Sequence, residues 1–226
     1  MRQIPLELPH RIALGREDFF VGEANAAAVA WLDRWPDWPG GGLAVYGPPG
    51  SGKTHLVEVW RARSAAARIE PAALPGVDLD GLAGAPAVAV DGIDGPLTPA
   101  AATQLFHLYN RAHAAGRTVL IAARDRPGVW AGLPDLASRV ATFATVELTA
   151  PDDSLLIAVM RKQFTDRQVA VGEDVLRYAA ARIERSFAAA QAFVGALDRA
   201  ALGAKRPASI ALARAVLESD RARTDL

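Results

Sequence analysis

Not one of the 226 residues is cysteine, which excludes disulfides, thiolate nucleophiles and cysteine-ligated zinc. Charge of one sign is also missing: Lys plus Arg and Asp plus Glu number 25 each. No overall basic field holds a polyanion, so strong autonomous DNA binding is not expected, although neutrality leaves room for a local basic patch. No apolar run approaches the ~18 residues that span a bilayer, and the N-terminus has no signal-peptide apolar core. The reading is therefore no membrane and a cytoplasmic setting. The four histidines, at 10, 55, 107 and 113, form no metal-ligating pair, and no Gly-x-Ser-x-Gly element suggests a hydrolase. What remains is ordinary for a globular chain: 51% hydrophobic and 22% charged residues, enough for one large domain or two small ones.

One stretch stands out. Gly47-Pro48-Pro49-Gly50-Ser51-Gly52-Lys53-Thr54 fits G-x-x-x-x-G-K-[ST] at every fixed position. Such a loop turns successive N–H groups toward phosphate oxygens, and the following helix adds its positive end. Lys53 is expected on the β and γ phosphates and the Thr54 hydroxyl on Mg²⁺, with His55 next in the helix. The context agrees: 43–46 reads as a buried strand and 54–63 as an apolar-periodic helix.

Upstream, Met1 to Arg11 precedes any periodic pattern. Within it Gln3, Ile4, Pro5, Leu6 and Leu8 form a glutamine followed by spaced aliphatics, which reads either as a partner-docking peptide or as a plain terminus. An Ala-rich helix then runs to about Trp35, with Trp31 and Trp35 as packing residues, and Pro36 to Gly42 breaks it. Downstream, 67–70 is a weak strand, 71–86 is rich in Pro, Gly and Asp, and Ala87-Val88-Ala89-Val90-Asp91 is a strand ending in an acid, the shape of a Walker B strand. Asp91 can reach the Mg²⁺ or its water shell beside Thr54.

The next position is Gly92, where a second acid would polarise the attacking water, so weak intrinsic hydrolysis is expected. Asp94 is near in sequence only. A helix over 100–115 and a strand over 118–123 follow, then Asp125, either a γ-phosphate sensor or a turn residue. A short helix at 133–140 carries Arg139, and 145–148 is a strand. From Asp152 only helices are found, at about 152–166, 173–183, 186–203 and 208–222. Alternating strands and helices imply a parallel sheet flanked by helices. The fold class is therefore α/β, a P-loop module followed by a small all-helical lid. The domains are a tail at 1–11, an α/β nucleotide-binding domain at 12–150 and the lid at 151–226.

Phe19-Phe20-Val21-Gly22-Glu23-Ala24-Asn25, Gly52-Lys53-Thr54-His55-Leu56, Leu108-Tyr109-Asn110-Arg111, Asp125-Arg126-Pro127 and Leu133-Pro134-Asp135-Leu136-Ala137-Ser138-Arg139 together resemble the DnaA-related AAA+ proteins, and within them the Hda branch. The resemblance covers nearly the whole chain. It implies an AAA+ module without DnaA's helix-turn-helix domain, ADP or ATP with Mg²⁺ as cofactors, and an N-terminal peptide, here Gln3 to Leu8, that binds the β sliding clamp of DNA polymerase III. It further implies that the protein promotes hydrolysis of DnaA-bound ATP and so prevents over-initiation of replication, and it leaves a homo-oligomer open. Arg139 falls on the arginine-finger position, with a local salt bridge as the alternative. The small-domain arginine of many members aligns to Ala188, and Arg185, one turn earlier, stands as its replacement. A helicase-loader-like AAA+ adaptor and an autonomous P-loop ATPase or kinase are the competing functions.

Overall fold

The computed structural model describes residues 20–204 and 206–224. The expected clamp-binding residues Gln3, Ile4, Pro5, Leu6 and Leu8 lie outside the described residues. Five strands, β1 (Gly42–Tyr46), β2 (Ala67–Ile69), β3 (Ala87–Ile93), β4 (Thr118–Ala123) and β5 (Ala144–Glu147), form one sheet in the order β2-β3-β4-β1-β5. Every pairing is parallel. Parallel neighbours need crossovers, and the helices α1 (Ala26–Asp33), α2 (Lys53–Ser64), α3 (Pro99–Ala114), α4 (Pro127–Trp130) and α5 (Pro134–Val140) supply their cover. The strands read from sequence agree to within two residues at each end. The stretch at 71–86 contains two 3₁₀ turns, Pro71–Gly76 and Gly81–Gly84, and α4 was not read from the sequence.

The sheet is covered on both faces, which is why its strands read as nearly continuous apolar runs. All six residues of β4 are buried. On one face Leu74, Leu105, Leu108, Trp130, Leu136 and Val140 pack beneath α3, α4 and α5. On the other, Leu32, Leu56, Val57 and Trp60 of α1 and α2 pack on Leu43, Val45, Leu120 and Ala122. Each buried Leu or Val among them contributes roughly 1.5–3 kcal/mol. Trp31 and Trp35 lie at the edge of this second core, and Trp35 Nε1 donates to Thr118 Oγ1 at 2.7 Å.

After Glu147 the described chain is helical: α6 (Asp153–Asp166), α7 (Glu173–Ala180), α8 (Phe187–Ala204) and α9 (Ile210–Thr224). They enclose a third core around Leu156, Met160, Phe164, Leu176 and Val194. The first turn of α6 is capped by Asp152, whose Oδ1 accepts from Leu155 N at 2.7 Å. The start of α8 returns to the glycine loop after β1: Phe187 N–H donates to Gly50 O at 3.0 Å.

Candidate phosphate-binding site

The loop 47–52 leaves the C-terminal end of β1, between β4 and β5, and enters α2 without a side-chain cap on its first N–H groups. In an open parallel sheet the crevice at this end of the strands is where ligands bind, and an uncapped helix N-terminus beside it leaves donors for an anion. Gly50 sits at φ +72°, and a Cβ there would lie 2.3 Å from Ser186 Cβ, so only glycine permits this approach of the α8 segment. Ser51 is buried and Pro48 and Pro49 are exposed at the rim.

Lys53 closes the loop on itself. Its Nζ donates to Gly47 O and Pro48 O, both at 2.7 Å. Burial lowers its pKa from the ordinary lysine range, Asp94 and Asp91 act against that shift, and Arg124 adds to it. A phosphate oxygen accepts a charge-assisted bond stronger than a neutral carbonyl can, so the same ammonium is poised to exchange partners.

Asp91 ends the continuous buried run of β3, with 3% of its surface exposed. Burial raises its pKa, against the lowering pull of Arg68, the Thr54 hydroxyl and Lys53. Thr54 Oγ1–H donates to Asp91 Oδ1 at 3.3 Å. The other oxygen, Oδ2, lies 2.9 Å from Arg68 Nη2 as an ion pair, yet outside hydrogen-bond geometry. A hydroxyl and a carboxylate are the hard donors Mg²⁺ takes, so Thr54 and Asp91 fit that ion in kind, with Arg68 already beside Oδ2 as a competing cation. Bound there, the ion would offset phosphate charge. Gly92 follows in a bulge at φ +96°, with nothing within 4 Å of where a Cβ would stand.

The remaining candidates are more scattered. His55 is half-buried in the first turn of α2. Asp125 is exposed, and its backbone carbonyl accepts from Trp130 Nε1 at 3.1 Å, whereas the residue before it, Arg124, carries the charge that acts on Lys53. Arg185 is exposed and pairs with Asp153 of α6 at 3.0 Å, one residue ahead of the Ser186–Gly50 approach. Arg139 is exposed in the last turn of α5, on the face of the sheet opposite α2. Among the described residues no ion pair or hydrogen bond engages its guanidinium, so the local salt bridge is not found. Sequence reasoning passed over Arg68 and Arg124. Arg68 had one available signal, an arginine inside a short strand next to the acid-tipped one; Arg124 had its place directly after a buried strand.

No protein-family model matches the sequence. Among solved structures, domain III of the Thermotoga maritima replication initiation protein DnaA is similar with a TM-score of 0.78 at 19% identity, over 94% of this chain and 98% of that one. AMPPCP-bound DnaA from Aquifex aeolicus gives 0.67 at 15% identity, over 80% of this chain and 64% of that one. Thermotoga maritima RuvB R170A gives 0.70 at 17%, over 90% and 71%. The fold is thus that of the AAA+ modules of DnaA and RuvB, and the chain spans less than two thirds of that longer DnaA chain.

Proposed function

We propose that this protein is a nucleotide-holding AAA+ regulator of the Hda kind, which binds the replication sliding clamp through Gln3 to Leu8 and promotes hydrolysis of ATP held by DnaA. The observation that carries the reading is the pairing of two features. The position after Asp91 is a glycine, so the chain lacks the usual second acid at its own phosphates, while Arg139 is exposed, unpaired among the described residues and turned to the face opposite its own α2. An arginine supplied to a neighbouring subunit's phosphates offsets transition-state charge and accelerates hydrolysis by ~10³–10⁵ in other nucleoside triphosphatases. The Aquifex aeolicus DnaA structure with AMPPCP supports a nucleotide as the ligand here too.

The test measures ATP hydrolysis by DnaA on clamp-loaded DNA with the wild-type protein and with Arg139→Ala. Stimulation by the first, falling at least ~10³-fold toward basal in the second, is the expected result. Gln3→Ala should abolish stimulation by removing clamp binding while leaving the fold intact. A wild-type protein that leaves DnaA's rate unchanged refutes the reading. The likeness to RuvB, together with Asp94 close enough to act on the Lys53 charge, favours one second reading, an autonomous ATPase. Steady ATP turnover by the isolated protein, faster than about one per minute, would select it.

A further inference from the structure

We propose that Arg68 sets the metal dependence of nucleotide binding. Its guanidinium neutralises Asp91 where Mg²⁺ otherwise would, so the nucleotide is held with little help from the metal. This rests on the nucleotide reading above.

The arrangement follows from strand register. Arg68 of β2 pairs with Ala89 of β3, and Asp91, two residues further along, lies on the same face. One step along the strand brings the guanidinium to the carboxylate, with Arg68 Nη2 at 2.9 Å from Asp91 Oδ2. From the other side, α2 presents Thr54 and Glu58 one turn apart on a shared face. Thr54 takes Asp91 Oδ1, and Glu58 Oε1 stands 3.4 Å from Arg68 Nη1, holding the guanidinium over the acid. Glu58 is itself balanced by Arg61 at 2.7 Å. Asp91 and Glu58 therefore face Arg68 and Arg61, with Lys53 adding a further positive charge that acts on Asp91 and Glu70 more distant at 3.9 Å from Arg68 and 72% exposed.

The consequence for a dication is direct. Asp91 has 2% of its side chain exposed, so its charge acts through little water, and that charge already has a permanent partner in an arginine that does not deprotonate. Mg²⁺ gives up its water reluctantly and depends on carboxylate charge to do so. Beside an Arg68–Asp91 pair it meets a carboxylate that is already neutralised. Phosphate charge is left to Lys53 and the uncapped N–H groups of α2. Arg68 is a positioning residue in this scheme, since it acts through Asp91.

The experiment measures the Kd of fluorescent ADP for the full chain by anisotropy, with Mg²⁺ and with EDTA, and reads the ratio. For the wild type the ratio should be below about threefold, and Arg68→Gln should raise it to about tenfold, which is about 1.4 kcal/mol between the two conditions for that variant. Arg68→Lys, which restores a cation, should return the ratio most of the way. If circular dichroism shows Arg68→Gln unfolded, Arg68→Met, which keeps the apolar stem, replaces it with the same expectation. A wild-type ratio of tenfold or more, or equal ratios in wild type and the uncharged variant, overturns the inference alone. No ADP binding in either condition overturns the nucleotide reading and this inference with it.

Discussion

At Gly92 the proposed function turns on a single residue, since a second acid there would polarise water beside a bound triphosphate. The backbone there has φ +96° inside a β-bulge, a region glycine enters freely, and the space beyond it is open. Sterics therefore do not forbid a side chain; only the backbone conformation resists one. Asp and Asn are the side chains that tolerate this region best, at about 1–2 kcal/mol. Gly92→Asp should fold, lose about 2–8 °C of Tm at roughly 2–4 °C per kcal/mol, and hydrolyse ATP faster than the wild type. A steady-state phosphate-release assay checks the second part. A folded Gly92→Asp protein with unchanged turnover would mean that the missing acid is not what limits hydrolysis. The residue scale is also where sequence served best and worst. The glycine loop was legible because a fixed spacing marks it, and the place of Asp91 because an acid follows a buried apolar run. Arg68 was not, because its role depends on which strand lies beside β3, and no local pattern states that β2 pairs there rather than at the far edge.

Helices and strands were legible where one period dominated. β4 is six buried residues in a row and was found with its exact bounds 118–123 because both of its faces are covered. The 71–86 stretch read only as rich in Pro, Gly and Asp, since its two 3₁₀ turns repeat too briefly to leave a periodic trace. Capping is the element-scale feature that makes a quantitative statement. Asp152 Oδ1 accepts from Leu155 N and from Ser154 Oγ, both at 2.7 Å, and the backbone bond is the leading reason its pKa is lowered. Asp152→Ala should remove about 1 kcal/mol of stability. A folded-state pKa below the unfolded one contributes stability that is full above the ordinary carboxylate range and is lost as pH falls through the folded value. The gap in denaturation midpoint between wild type and Asp152→Ala should hold at neutral pH and close as the pH drops below that range. A gap that persists in strong acid would assign the cap's contribution to packing instead of charge.

Across the whole molecule, the glycine loop is one place where the sheet and the C-terminal helices meet, and Gly22 is another. Phe187 N–H bonds to Gly50 O, Ser186 packs on Gly50, and Leu155 of α6 lies 3.3 Å from where a Cβ on Gly22 would stand. A ligand held by the loop is therefore held within reach of both parts of the chain, and its binding energy should stabilise them together. At a hundredfold excess over Kd, ADP adds about 2.7 kcal/mol to the folded state. For a chain of this size that is a rise in Tm of roughly 5–11 °C at about 2–4 °C per kcal/mol. Lys53→Ala should lose most of that rise, because it removes the cation that the loop carbonyls now hold in place. Arg139→Ala should keep all of it, because α5 lies on the face of the sheet opposite α2 and the Arg139 side chain is exposed there. Thermal melts of the three proteins with and without ADP separate the two roles. An Arg139→Ala protein that loses the ADP shift would place that arginine at its own nucleotide and remove the basis for its acting on a neighbour.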